Sequence, residues 1–277
     1  MNWDLYPQII ETSIESFLVK LPCLLWKAWN RKHYPEIDHM ITIGEKMAAS
    51  IRASMDAEIN LSVVPLCVDP EVLVSIEKER NDFLIRHHLK EKFIVLFSGK
   101  MGMGHNIELI LEAANRLRTI EDMMFVFIGS GPKFSIVEEY IQTHTPLNIR
   151  LFPWQDQEMY PYSIACGDIA IVTEEKAAEG LMLPSRVFSM MSCGEAIIGI
   201  CGRNDDLYGL VNHSRIGLCV VNDDVATLAK AIMDLYGNRR LLEEMQGRAR
   251  KLVEEKYSID TVAQKYRDVF EKVMGGL

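Results

Sequence analysis

The feature that most constrains this chain is a regular alternation of short apolar runs and longer amphipathic segments, which begins near residue 93. The apolar runs predict strands at 93–97, 124–128, 149–152, 169–172, 196–201 and 217–221. Helical spacing predicts helices at 105–118, 132–143, 158–166, 184–193 and 205–213. Continuously apolar strands that alternate with helices are typical of a parallel sheet covered on both faces. We therefore expect a doubly wound α/β domain.

The ends of the chain add helices and a second, smaller unit. Helices are predicted at 223–236, 239–256 and 259–273, with Asp223 and Ser258 as N-caps of the first and last. Before residue 75, the pattern predicts a helix at 7–30, a strand at 39–43, a helix at 45–55 and a strand at 61–68. Two strands are too few for a sheet of ordinary size, so we expect a partial second α/β domain. Pro65, Asp69 and Pro70 interrupt the pattern and are typical of a hinge.

Composition excludes some functions. The net charge is −9 and there is no run of lysines or arginines, which argues against nucleic acid as a partner. The six cysteines form no C-x-x-C pair and most lie in apolar runs. This arrangement favours reduced, buried thiols in a cytoplasmic protein, without disulfides or structural zinc. Residues 1–4 do not begin a secretory signal.

Residues 17–29 leave two interpretations open. The segment is apolar but contains Lys20 and Pro22, and it is too short to span a bilayer, which takes about 20 apolar residues. Its tryptophans lie close to Arg31 and Lys32, as in helices that lie on a membrane surface. The alternative is a core helix with a basic exposed face.

The loops that follow the predicted strands contain most of the candidate binding residues, because doubly wound domains bind ligands beyond the carboxyl ends of their strands. Residues 98–106 are rich in glycine and lead into a helix, a combination that suits an anion, with charge added by Lys100 and His105. The alternative is a tight turn with Lys100 in solvent. A second glycine turn, 129–132, ends with Pro132 at the first helical position. Trp154, after the third strand, either flanks a nucleotide base or covers the core.

The fourth loop and its helix carry a polar stripe. Glu179 adjoins the turn at Gly180, and an acid here can accept hydrogen bonds from sugar hydroxyls. Serines 185, 189 and 192 fall at i, i+4 and i+7 on one helix face, which suits a ligand rich in hydroxyls or, alternatively, tight helix packing. Glutamates 174 and 175 are expected in a solvated loop.

Together these motifs resemble the C-terminal half of the family 4 retaining glycosyltransferases, whose GT-B architecture has two Rossmann-like domains facing across a cleft. The resemblance covers about residues 90–275 and rests on the glycine-rich loop with Lys100 and His105, then G-S-G-P, L-F-P-W-Q and E-G-L-x-L-P-S-R-x-F-x-M-M-x-x-G. It implies that 1–75 is the remnant of an N-terminal acceptor domain with the hinge, that 76–258 binds the nucleotide sugar, and that 259–277 is a helix crossing back to the first domain.

The resemblance also implies a function. A sugar would pass, with retention, from a UDP- or GDP-sugar to a polysaccharide or glycolipid, without a cofactor or an active-site metal; a UDP-sugar is the first expectation. Lys100, His105 and Arg186 would stabilise the diphosphate, Glu179 would contact the donor sugar, and Trp154 would lie near the base. The implied donor-binding residues are Gly99, Lys100, Gly102, His105, Trp154, Glu179, Gly180, Leu181, Arg186 and Ser189. No catalytic residue is identified.

Two departures from the family pattern matter. The second acid of the family motif, which binds the ribose, is replaced here by Ser189. The acceptor loop and histidine of the family's N-terminal domain have no counterpart in this sequence. The alternative is therefore a truncated, non-catalytic donor-binding subunit that needs a partner chain for the rest of that domain. Residues 17–29 would contact this partner chain or, alternatively, the inner face of the membrane.

Overall fold

The computed structural model describes residues 5–13, 16–102, 104–174, 178–221 and 224–275. The first part of the chain forms a sheet of two parallel strands, β1 (Met40–Thr42) and β2 (Leu61–Val63). Helices α1 (Gln8–Ser13) and α2 (Phe17–His33) precede this sheet, and α3 (Glu45–Ala53) connects its strands. The single helix predicted at 7–30 is wrong, because Ser16 has an extended backbone just before α2. The strand predicted at 61–68 stops early, since Pro65 has no N–H to donate to a ladder.

The rest of the chain forms the predicted doubly wound domain. Its strands are β3 (Phe93–Lys100), β4 (Met123–Ser130), β5 (Ile149–Phe152), β6 (Ile169–Thr173), β7 (Ala196–Ile200) and β8 (Gly217–Val220). Its helices are α4 (Asp82–Arg86), α5 (Ile107–Arg116), α6 (Phe134–His144), α7 (Tyr160–Ile164), α8 (Arg186–Ser192), α9 (Asp206–His213), α10 (Val225–Gly237), α11 (Arg239–Leu252) and α12 (Ile259–Met274). Every predicted strand of this domain is present within a few residues.

The order of the strands places the functional edge. The six strands are all parallel and lie in the order β5-β4-β3-β6-β7-β8. The connections therefore run outward in one direction from β3 and in the other from β6. At such a switch point the loops after the two central strands diverge and leave a crevice. The loops after β3 and β6 are the two that carried most of the predicted site residues.

Some helix ends differ from the prediction. Helix α6 begins at Phe134, so Pro132 belongs to the preceding turn rather than to the first helical position. Asp223 lies outside the described residues, and Asp224 caps α10 by accepting a hydrogen bond from Thr227 N. The Ser258 cap is confirmed by a hydrogen bond from Thr261 N. Helix α4 was not predicted; it begins at the buried Asn81, whose side chain accepts from Leu84 N.

The last helix and the hinge connect the two sheets. Val262 of α12 packs with Ile41 and Val64 of the smaller sheet. In the hinge, the Arg250 guanidinium of α11 donates to the carbonyl oxygens of Pro70 at 2.8 Å and Leu73 at 2.8 Å. These contacts join α12 to the smaller sheet and α11 to the hinge.

Helix α2 has an exposed apolar face. Leu18 is 82% exposed, Leu25 is 65% exposed and Trp29 is 57% exposed. No helix in the described ranges is long and apolar enough to cross a membrane. The described part of the chain therefore presents a large apolar surface on the smaller domain.

Candidate functional site

The glycines at the ends of β3 and β4 allow an unusually close approach of two backbones. Gly99 and Gly129 are paired neighbours with φ values of +145° and +146°. A Cβ atom on Gly129 would lie 2.0 Å from the carbonyl oxygen of Gly99, so only glycine fits there. Gly102 follows, and its N–H donates to Nδ1 of His105 at 3.0 Å. This N–H is therefore engaged within the loop.

His105 does not supply the positive charge that the sequence indicated. Burial, helped by the nearby Arg186 and Lys133, lowers the pKa of His105 to about 4, against the opposing effect of a hydrogen bond with the Lys100 backbone. The imidazole is therefore neutral at pH 7 and acts as a hydrogen-bonding group. Lys133 was not predicted as a site residue. Its Nζ donates a hydrogen bond to the carbonyl oxygen of His105 at 2.9 Å. Lys100 is exposed at the end of β3.

Arg186 reaches from the first residue of α8 to the end of β3. Its Nη2 donates to the carbonyl oxygen of Thr173 at 3.0 Å, and its guanidinium lies 4.8 Å from the centroid of the Phe97 ring. Its Nη1 lies 2.9 Å from the position that a Cβ on Gly99 would take. The Arg186 Nε is buried without an acceptor, and no described carboxylate forms an ion pair with this side chain. Arg186 is thus a cation at the switch point whose Nε can still donate a hydrogen bond.

The burial of Glu174 differs most from what the sequence predicted. It was expected in a solvated loop, yet it is 7% exposed at the end of β6, and Glu175 lies outside the described residues. Burial and the negative charge of Asp205 raise the pKa of Glu174 to about 11. The expectation failed because a Glu-Glu pair is typical of a surface loop, whereas the Glu174 N–H extends the pairing with β7 by donating to Ile200 at 2.9 Å.

Glu179, Gly180 and Leu181 lie where the larger domain meets the smaller one. The Glu179 carboxylate accepts a hydrogen bond from Asn204 N at 2.6 Å. Gly180, with φ of +70°, comes close to α3, since a Cβ there would lie 3.4 Å from Ser50 Oγ. The carbonyl oxygen of Leu181 accepts from Leu5 N at 3.0 Å, and its N–H donates to Ala178 at 2.9 Å. These backbone groups already have partners, so a phosphate there would have to displace them.

The serine stripe does not face one ligand. Ser185 is exposed and Ser189 is partly buried, but Ser192 is fully buried and its Oγ donates to the carbonyl oxygen of Leu73 at 2.6 Å. The third serine therefore stabilises the hinge, as the packing alternative predicted for it. The role predicted for Ser189 as a donor contact stays a prediction.

Trp154 lies beyond the end of β5. The residue is 48% exposed, and its Nε1 donates to Ser130 Oγ at 2.6 Å. This hydrogen bond fixes the indole against the glycine turn after β4. A partly exposed ring held in this way is suited to stacking on a planar ligand, although its role stays a prediction.

The arrangement as a whole is suited to an anionic ligand. Arg186, Lys100 and the start of α5 bring positive charge and N–H donors to the glycine-rich edge. Within the described ranges there is no group of three or more His, Cys, Asp or Glu side chains that could hold a metal ion. All six cysteines are free, and those at 23, 166, 193 and 201 are buried.

Relatives with assigned names match the chain over part of their length. It is 24% identical over 226 residues to the probable glycosyltransferase WbjE of Pseudomonas aeruginosa, covering 81% of this chain and 56% of that protein. It is 28% identical over 142 residues to the putative colanic acid biosynthesis glycosyl transferase WcaI of Escherichia coli K12, covering 51% of this chain and 35% of that protein. The chain thus spans about half the length, or less, of these relatives.

Solved structures support the fold. Alr3699/HepE of Anabaena, crystallised with UDP and glucose, superposes with a TM-score of 0.73 at 13% identity and covers 88% of this chain and 66% of that one. This likeness confirms the α/β fold with its six-stranded parallel sheet, which is shared with GT-B glycosyltransferase structures.

The family itself is established by a sequence profile. The profile described as "Glycosyl transferases group 1" matches residues 78–252, which is more than half of the chain. The matched range contains the whole six-stranded sheet and every residue of the switch-point crevice described above. This chain belongs to the group 1 glycosyl transferase family.

Proposed function

We propose that the chain binds a nucleotide sugar at the carboxyl edge of its larger sheet and is the donor-binding part of a family 4, retaining glycosyltransferase. The observation that carries the proposal is Arg186, a cation with no described ion-pair partner that lies beside Gly99 at the switch point. A diphosphate is the part of a nucleotide sugar that such a cation would bind. With the diphosphate bound there, Arg186 and Lys100 would stabilise the negative charge that develops on it as it leaves.

The relatives support a class of substrate. WcaI is named for colanic acid biosynthesis, which favours a polysaccharide or glycolipid acceptor for this chain. The structure of HepE with UDP and glucose favours UDP over GDP as the base-bearing half of the donor. Within this proposal, Trp154 contacts the base, Ser189 the ribose, and Glu179 the sugar once the donor replaces its hydrogen bond with Asn204. Catalysis without an active-site metal is part of the same proposal.

Calorimetric titration with UDP, GDP and ADP tests the donor site. We expect UDP to bind most tightly and Lys100→Ala to weaken it about tenfold, which is the effect of losing one charge-assisted contact of about 1.4 kcal/mol. Lys90→Ala is the matched control, because Lys90 is an exposed lysine before the opposite end of β3. If no nucleotide binds the wild-type chain, or if both lysine variants lose the same affinity, the donor site as proposed is wrong.

An activity test distinguishes the enzyme from the second candidate, a non-catalytic donor-binding subunit. Membership of a glycosyltransferase family favours the enzyme. Release of UDP from UDP-glucose or UDP-N-acetylglucosamine in the presence of a polysaccharide extract would support transfer. Nucleotide binding without any release, under conditions where a full-length relative is active, would favour the subunit.

We further propose that the exposed face of α2 packs against a protein partner that completes the smaller domain. The smaller sheet has two strands, fewer than the usual average of about 5–6, and the leucines of α2 beside it are exposed. Co-purification of a second chain, lost in a Leu25→Glu variant, is the expected result. Flotation of the purified chain with phosphatidylglycerol vesicles would instead favour the peripheral, cytoplasmic membrane contact.

A further inference from the structure

Two carboxyl groups, Glu174 at the end of β6 and Asp205 at the start of α9, interact with each other without enough donors to satisfy them as anions. Glu174 is 7% exposed and Asp205 is 1% exposed. Neither carboxyl oxygen of Glu174, nor Oδ2 of Asp205, receives a hydrogen bond from any donor in the described ranges. Two buried carboxylates side by side cannot both ionise, whereas one proton held between them satisfies both. The contact of the two side chains therefore indicates a carboxylic acid–carboxylate pair.

The surroundings of the pair agree with a single bound proton near pH 7. Burial is the main cause that raises the pKa of Glu174, followed by the charge of Asp205, and Arg186 opposes the shift. Burial also raises the pKa of Asp205, to about 6, with smaller effects from Asp206 and Glu179 and an opposing hydrogen bond from Glu174. Because burial raises the pKa of Glu174 further than that of Asp205, Glu174 is the member of the pair that holds the shared proton near pH 7.

Arg186 is the neighbour on which this protonation acts. Its guanidinium donates a hydrogen bond to the carbonyl oxygen of Thr173, the residue that precedes Glu174. Burial lowers the pKa of Arg186, and a negative charge on Glu174 would oppose that shift. An ionised Glu174 would attract the guanidinium and neutralise it. A neutral Glu174 leaves the full charge of Arg186 for a ligand beside Gly99. Arg186 Nη1 is close to this residue, since a Cβ atom on Gly99 would lie 2.9 Å from it.

We propose that Glu174 is a positioning residue for the donor site, which shares one proton with Asp205 and thereby keeps Arg186 uncompensated for the diphosphate. The inference rests on the proposed function, since it assigns the anion that Arg186 holds. It differs from that function in naming residues that the donor does not touch. It also assigns to the second carboxylate, Asp205, a role beyond capping α9 through Leu207 N.

The decisive variant is Asp205→Asn, measured by titration with UDP from about pH 7 to pH 9, where the terminal phosphate of UDP is already ionised. Asparagine keeps the cap of α9 but donates a hydrogen bond to Glu174, which then ionises and pairs with Arg186. We expect UDP affinity to fall about tenfold and to weaken further as the pH rises, whereas the wild type stays flat. Adding Glu174→Gln to Asp205→Asn should restore wild-type affinity, because glutamine cannot ionise. A purely structural role of Asp205 would give no such rescue.

Three outcomes overturn the inference. The first is an Asp205→Asn variant that binds UDP like the wild type at every pH. The second is a Glu174→Gln single variant that loses as much affinity as Arg186→Gln. The third needs no ligand: the infrared difference spectrum between wild type and Glu174→Gln at pH 8 should contain the carbonyl stretch of a protonated carboxylic acid, and its absence refutes the shared proton. Failure of the wild type to bind UDP, with that band present, refutes the donor site rather than the pair.

Discussion

The contact that should matter most for the relative position of the two sheets is the Arg250 clamp, and its removal gives a quantitative prediction. Arg250 Nη1 donates to the carbonyl oxygens of Leu73 at 2.8 Å and Ser192 at 2.7 Å, and Nη2 donates to Pro70 at 2.8 Å. One guanidinium therefore joins α11, the end of α8 and the hinge. Its side chain is only 25% exposed, so water replaces these donors poorly.

The magnitude follows from the acceptors that Arg250→Ala leaves behind. Leu73 keeps the hydrogen bond from Ser192 Oγ, and Pro70 is partly accessible to water. Each hydrogen bond from a charged donor contributes about 1.5 kcal/mol or more, but relaxation recovers part of it. The ion pair with the half-exposed Glu254 adds little. We expect a loss of about 3 kcal/mol, which lowers Tm by roughly 6–12 °C for a chain of this size.

Thermal and urea denaturation measure this loss against a matched control. Arg240→Ala removes an arginine of the same helix whose side chain is 90% exposed and whose contact is an i,i+4 pair with Glu244. We expect less than about 0.5 kcal/mol for it. Arg250→Lys should fall between the two, because an ammonium cannot span three carbonyls as the planar guanidinium does. Equal stability of Arg250→Ala and Arg240→Ala would refute the clamp.

Three further predictions concern stability and use the same denaturation assays. Gly217→Ala should cost at least about 2 kcal/mol, because its Cβ would lie 1.7 Å from Ile197 O, whereas Gly237→Ala, with nothing within 4 Å, should not destabilise the chain. Asn81→Ala should cost about 3 kcal/mol, since it removes a buried cap and the donor to Tyr162 O and Ala165 O; a cost below 1 kcal/mol would contradict this. Burial raises the pKa of Glu195 well above 4.5, so the unfolded chain releases this proton first and stability falls as the pH rises above about 4.5; Glu195→Gln should flatten that decline, and an unchanged slope would refute the assignment.

The sequence supported the larger domain better than the smaller one for a physical reason. Strands that are buried on both faces consist of unbroken apolar runs, so β3, β4, β6 and β7 could be predicted from these runs alone. The short strands β1 and β2 were predicted as well, but the packing of α12 against them is a long-range contact that no local pattern records. The same limit explains why α4 was missed, since its five residues are too few for helical periodicity to be detected.

For the site, the sequence determined which loops matter, and the tertiary structure decided what each side chain does there. The glycine pattern and the predicted parallel sheet sufficed to place Gly99 and Lys100 at the carboxyl edge, because parallel strands bring their ends together, and the family resemblance added Arg186. The charge state of His105 and Glu174 could not be predicted in the same way, since a pKa depends on burial and on neighbours from distant elements. The hydrogen bond from Asn204 N to Glu179, and the contact of Ser192 with the hinge, likewise exist only once helices and strands have packed.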